Sequence, residues 1–159
     1  LIFNDGATES KGLELALTYH VTHEHNLIAA GSYAEHRYDN AWGDEVAAGD
    51  MMQTAPRQIA QLRWLYQPEN LLSGKSTWEL ELNHQGRYYM DASNDHLYPG
   101  HTLLNARSSY QLSPSMRLSA RLDNIANVNY AERADFAFGS ERYFPGTPRG
   151  LFVSWQWVL

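Results

Sequence analysis

The chain has 159 residues, a formal net charge of -6, no cysteine, and an aromatic load that includes ten Tyr and five Trp. The charge excludes a general phosphate-binding surface, so no nucleic acid is expected as a partner. The missing cysteines exclude a disulfide framework and a thiolate metal site. Mean hydropathy is -0.51, and no run approaches the ~18 apolar residues of a membrane helix, which still leaves room for a barrel whose strands alternate apolar and polar residues.

Length suits one domain. The chain opens Leu1-Ile2-Phe3-Asn4-Asp5, without an initiator Met, a basic n-region or a signal peptide, and reads as a start in the middle of something longer. Period-two alternation then dominates. From Gly12 to Val21 the apolar set is Leu13, Leu15, Leu17, Tyr19 and Val21. Leu27 to Tyr38 is weaker, with Ala, Gly and Ser on both parities. Arg57 to Tyr66 carries Ala60, Leu62, Trp64 and Tyr66. Thr77 to Tyr89 is the cleanest, with Trp78, Leu80 and Leu82 opposite Glu79, Glu81, Asn83, Gln85 and Arg87. Thr102 to Leu112 gives Leu104, Ala106, Tyr110 and Leu112, and Met116 to Ala126 gives Leu118, Ala120 and Leu122. Pro148 to Trp157 closes the series with Leu151, Val153, Trp155 and Trp157. The spacing predicts about seven strands longer than the ~5–6 residues usual in soluble sheets.

Short connections fall near Thr22 to Asn26 and Leu112 to Ser115, with a moderate one from Gln67 to Ser76. Long ones fall near Asp39 to Ala55, Asp91 to His101 and Asn127 to Thr147. Short turns on one rim and long loops on the other are the layout of an outer-membrane barrel. Tyr19, Trp64, Tyr66, Trp78, Tyr110, Trp155 and Trp157 all fall on the apolar parity at the short-turn end, as an interfacial girdle requires. A Tyr-rich soluble β-sandwich that binds carbohydrate is the competing reading, and it would put large aromatics mid-strand in a core between two sheets. Seven strands alone would leave two unpaired edges, which lipid does not tolerate. Either an eighth strand lies in Asn127 to Thr147, or further strands complete the barrel.

No Gly-x-Ser-x-Gly elbow and no phosphate loop is present, so an enzyme is not expected. Glu79, Glu81, Arg87, Arg107, Arg117, Arg121 and Asp123 lie on the wet parity and are expected to line a lumen and pair across strands or with a plug. His20, His23 and His25 read as a polar turn whose members diverge, so no metal is expected. His96 and His101 flank a loop.

The segment from Arg121 to Trp157 resembles the C-terminal end of TonB-dependent outer-membrane receptors. Asn124, Ile125, Asn127 and Tyr130 match the element that ends the penultimate strand. Gly146, Pro148 and Arg149 then precede the final strand. Glu9 to Tyr19, Thr54 to Pro68, and the pair spanning Leu97 to Asn127 are similar to upstream family strands in the same order.

The resemblance implies an all-β fold: an antiparallel transmembrane β-barrel, with residues 1–159 as about seven C-terminal strands of a 22-stranded, plugged barrel and the N-terminal plug domain absent from this sequence. It implies residence in the outer membrane of a Gram-negative bacterium, outer-membrane lipid around the strands, and TonB-energised uptake through the plug of a scarce nutrient. That nutrient is a ferric siderophore foremost, with no cofactor. It also implies recognition of the last strand by the barrel-assembly machinery. Here Leu151, Val153, Trp155 and Trp157 would be that signal, although Val158 and Leu159 follow where an aromatic end is usual. Tyr38, Trp42, Tyr89, Tyr98, Arg133, Phe136, Arg142 and Tyr143 are the candidate ligand-binding residues of the external loops. Rings beside Arg suit an anionic, aromatic-rich chelate. A small outer-membrane barrel acting as an adhesin or structural protein remains the alternative to uptake.

Overall fold

The computed structural model describes residues 6–41, 43 and 46–158. Eleven strands follow in order: β1 (Thr8–His20), β2 (His25–Tyr38), β3 (Gln58–Tyr66), β4 (Ser76–Gln85), β5 (Tyr88–Tyr89), β6 (Leu97–Tyr98), β7 (His101–Ser113), β8 (Met116–Asp123), β9 (Ala131–Ala137), β10 (Ser140–Pro145) and β11 (Gly150–Trp157). Seven form one antiparallel meander, β1-β2-β3-β4-β7-β8-β11, with a one-turn 3-10 segment at Leu71–Gly74 between β3 and β4.

The register aligns the alternation of every strand. Leu17 pairs with Ala29, Ala29 with Leu62, Leu62 with Leu82 and Leu82 with Leu104. Trp64 pairs with Leu80, Leu80 with Ala106, Ala106 with Leu122 and Leu122 with Leu151. Because side chains alternate with period two, a one-residue slip anywhere would break this face. The result is one continuous apolar surface. Leu13, Leu15, Leu151 and Trp157 remain 80%, 71%, 67% and 67% exposed.

No second sheet covers that surface among the described residues. The soluble sandwich is therefore excluded: the leucines and tryptophans meet no dry centre. An apolar face of this extent is not stable against water, and a hydrocarbon surround removes the difficulty. The upper limit of the band is visible on β1 and β2. On the parity of Leu13 and Tyr33 the next residues are Lys11, Glu9, Glu35 and Arg37, tied as Lys11–Glu9 (2.8 Å) and Arg37–Glu35 (3.0 Å).

The Thr77 to Tyr89 alternation does not make one strand. β4 ends at Gln85, and β5 turns away to pair with β6. Gly100 explains the break: its φ is +85°, and a Cβ there would run into the Gln85 carbonyl. Nor does β8 reach Ala126, because Asn124 adopts φ +50°. The 124–149 stretch contains strands, but β9 and β10 pair only with each other. They add no eighth member, and β1 and β11 are the free edges of the sheet.

The opposite face is polar. Glu79 accepts from Arg63 (2.7 Å) and Arg107 (2.6 Å), and Glu81 accepts from Arg107 (3.0 Å), Asn83 (2.7 Å) and Asn105 (3.2 Å). These are the cross-strand pairs expected of a wet wall. Arg121 instead pairs with Asp123 on its own strand (3.0 Å) and lies over Phe152, and Arg87 sits exposed in a loop. A trough of about 500 Å³ runs along this wall past Thr77, Ser109, Ser119 and Ser154.

Candidate ligand-facing loop cluster

The fully buried apolar residues belong to the long loops, not the main sheet. Tyr88, Met90, Tyr98, Ala131 and Ala134 form the one core cluster of the described residues, with Phe136 packed on it. Two tyrosines of the β5–β6 hairpin hold the back of β9. The Tyr88 hydroxyl accepts from Ala134 N (2.8 Å) and donates to Ala134 O (3.1 Å). The Tyr98 hydroxyl does the same with Ala131 N and O (3.1 Å each), and His101 Nδ1 lies 2.9 Å away as a further partner. A buried edge strand must have its amides paired, and here side chains pair them.

The first long loop joins the same assembly. Asn94, at φ +64°, brackets Met51: Met51 N donates to Asn94 Oδ1 and Asn94 Nδ2 donates to Met51 O, both at 2.8 Å. Thr54 N donates to Tyr89 O at 2.7 Å. Asp91 accepts from Ser93 Oγ, Asp95 N and His96 N and so fixes the β5–β6 turn. Burial raises the pKa of this carboxyl, and these three donors outweigh that and hold it below its ordinary value.

The root of the last loop explains the motif residues. Asn124, almost wholly buried, exchanges bonds with Val128 N (2.8 Å) and Val128 O (2.9 Å) and donates to Thr147 O (3.2 Å). Asn127 Oδ1 accepts from Arg149 N (3.1 Å). Gly146 lies flat against the Tyr130 ring, where a Cβ would collide with ring carbons, and Gly146 N donates to Tyr130 O (2.9 Å). Asn124, Asn127, Tyr130 and Gly146 therefore cross-tie the two ends of one loop.

Beyond this knot the β9–β10 hairpin presents charge and rings. Asp135 is its hub, accepting from Arg133 and Arg142, both at 2.6 Å. The Arg142 bond chiefly holds the Asp135 carboxyl below its ordinary value, against some burial, and Arg133 adds to it. One carboxylate serves two guanidiniums, while Glu132 and Glu141 give the hairpin three acids to its two arginines. Arg133 lies over Phe144 (5.3 Å) and Arg142 over Phe138 (5.8 Å). Glu141 accepts from the Tyr143 hydroxyl (2.8 Å) and lies 3.1 Å from His96 Nδ1, while the His96 ring stacks on Phe136 at 3.8 Å. At the tip, Phe138 (φ +55°) and Gly139 (φ +74°) make the two-residue turn, and Phe138 is 97% exposed.

Of the candidate residues, Arg133, Phe136, Arg142 and Tyr143 are brought together on this hairpin. Tyr98 is in the core behind it, with its ring 6.5 Å from that of Tyr143. Tyr89 is half-buried at the junction with the first loop. Tyr38 ends β2, half-buried, with its backbone bonded to Gly49 and Asp50. Trp42 lies outside the described residues. Leu151, Val153, Trp155 and Trp157 stand exposed on the apolar face of the edge strand β11. The sequence reading missed Met90 and Asp135. Arg133 and Asp135 two apart, followed by Phe-Gly, were the available sign of a hairpin.

The sequence profile described as "TonB dependent receptor-like, beta-barrel" matches residues 1–125. No curated protein matches the chain. Solved structures do. The siderophore receptor PiuA from Acinetobacter baumannii is 19% identical with a TM-score of 0.78, over 96% of this chain and 22% of its own. The ferric yersiniabactin uptake receptor FyuA from Yersinia pestis is 18% identical with a TM-score of 0.81, over 96% and 24%. The ferric citrate transporter FecA in unliganded form is 22% identical with a TM-score of 0.81, over 96% and 24%. The chain thus spans about a quarter of the length of these proteins. At such identities the likeness is one of fold, and it extends past residue 125 over the last loop and strand.

Proposed function

Since this chain belongs to the TonB-dependent receptor β-barrel family, we propose that it is part of an outer-membrane receptor that takes up a ferric siderophore in a Gram-negative bacterium. Import would be energised by the TonB complex acting on a plug held within the barrel. The observation that carries the ligand class is the β9–β10 hairpin. It sets two guanidiniums around one carboxylate, each with a phenyl ring beside it. Guanidiniums set beside flat apolar rings suit a chelate with anionic, aromatic or planar donor groups. Phe138, Tyr143 and Phe144 are exposed beside these cations, whereas Tyr98 serves the ligand only by supporting the hairpin from behind. The free edges at β1 and β11 fit a sheet that is completed by other strands of the same barrel.

The test is ferric-chelate binding and uptake by cells carrying Arg142→Ala with Tyr143→Ala. Loss of uptake with normal amounts of folded barrel in the outer membrane is expected. Undiminished uptake removes this hairpin from the site.

A further inference from the structure

At the short-turn rim, far from the loop cluster, the structure brings together three groups that the sequence keeps apart. His23 and Glu24 lie in the β1–β2 turn and Glu69 in the β3–β4 turn. One ligating atom from each falls within 4.8 Å of the others. The sequence reading looked for partners of His23 in His20 and His25, and these do point elsewhere. His20 bonds to Asn26, and His25 packs its ring against those of Tyr66 and Trp64. The partners are carboxylates, one of them more than forty positions away.

We propose that His23, Glu24 and Glu69 form a binding site for a divalent transition-metal ion, with Zn²⁺ as the fitting probe. The spacing carries the proposal. His23 Nε2 and Glu69 Oε1 are 3.6 Å apart, beyond hydrogen-bond reach. With bonds of about 2.0–2.1 Å to nitrogen and oxygen, two neighbouring tetrahedral ligands sit about 3.4 Å apart. The exposed pair thus forms no hydrogen bond, and its separation, that of a loose ion pair, also matches two ligands of one ion.

The carriers are fixed by other bonds. Thr22 Oγ1 accepts from Glu24 N and His25 N and shapes the first turn. Gln67 N donates to Glu24 O (2.8 Å), and Glu69 N donates to Glu24 Oε1 (2.6 Å), which locks the two turns together. One carboxylate oxygen each from Glu24 and Glu69 and a ring nitrogen of His23 are the ligating atoms. Among the described residues no Lys or Arg pairs with either carboxylate. Imidazole with two carboxylates is a borderline-hard donor set that suits Zn²⁺ over Ca²⁺ or Mg²⁺. Three protein ligands leave a position open to water, so the ion would exchange. Bound there, it would staple two adjacent turns of the rim.

The experiment is equilibrium dialysis of the folded, detergent-extracted protein against Zn²⁺, with bound metal measured directly. Heat-modifiable gel mobility shows that each variant is folded. One Zn²⁺ per chain is expected, lost in His23→Ala and in Glu69→Gln and kept in His36→Ala. Unchanged stoichiometry in either of the first two variants overturns the proposal. So does loss in His23→Ala alone, which would mean a lone surface histidine, or equal occupancy by Ca²⁺.

Discussion

Single hydroxyls and carboxylates decide how the loops are held. Tyr98→Phe keeps the ring in its pocket and removes the group that pairs both Ala131 N and Ala131 O. Leaving buried backbone groups unpaired costs about 1–3 kcal/mol. Faster hydrogen exchange at Ala131 and quicker proteolysis within residues 124–149 are expected, with the strands unaffected. Asp135 gives the hairpin a pH dependence of definite sign. Its carboxyl is held below the ordinary 3.8 by Arg142 first and Arg133 second. The folded hairpin thus favours the ionised form, so its contribution is complete above that value and is lost as the pH falls through the lowered one. Hydrogen-exchange protection of β9–β10 should drop on acidification below pH ~4 in the native protein. In Asp135→Asn it should be lower at neutral pH and flat across that range.

At the scale of the element, the strands report their two faces independently. Leu80 and Leu65 lie at neighbouring depths on β4 and β3, since Leu80 pairs with Trp64 and Leu65 with Glu79. They point to opposite sides. Leu80→Arg puts a guanidinium on the lipid face and should be the more destabilising, on a scale that reaches ~2–4 kcal/mol at the midplane and falls toward the girdle. Leu65→Arg places the same group beside Glu79 on the wet wall and should cost little. Urea unfolding in lipid vesicles compares them, and equal losses would refute the face assignment. The last loop is an element with its own closure. Asn124→Ala removes a left-handed residue and three hydrogen bonds at the root, so the loop should open to protease while the barrel persists.

On the scale of the molecule, seven strands make a sheet that two free edges leave incomplete, and β11 is one of those edges. Its exposed Leu151, Val153, Trp155 and Trp157 are the residues an assembly factor would meet first. Trp155→Ala with Trp157→Ala should slow insertion of newly made protein into the outer membrane, read as unfolded protein accumulating in the periplasm. Insertion at the normal rate would place the signal elsewhere.

The alternation of leucine with charge determined the seven strands, their two faces, the girdle and the division into short and long connections, because side-chain direction in a strand is a local, period-two property. The family motif was legible too, but not its reason. That Asn124, Gly146 and Tyr130 knot a loop root depends on which chain segments meet. The same holds for the tyrosine clamps, the Asp135 hub and the approach of Glu69 to His23. Each joins residues from different loops, and only the register of the folded sheet sets those loops side by side.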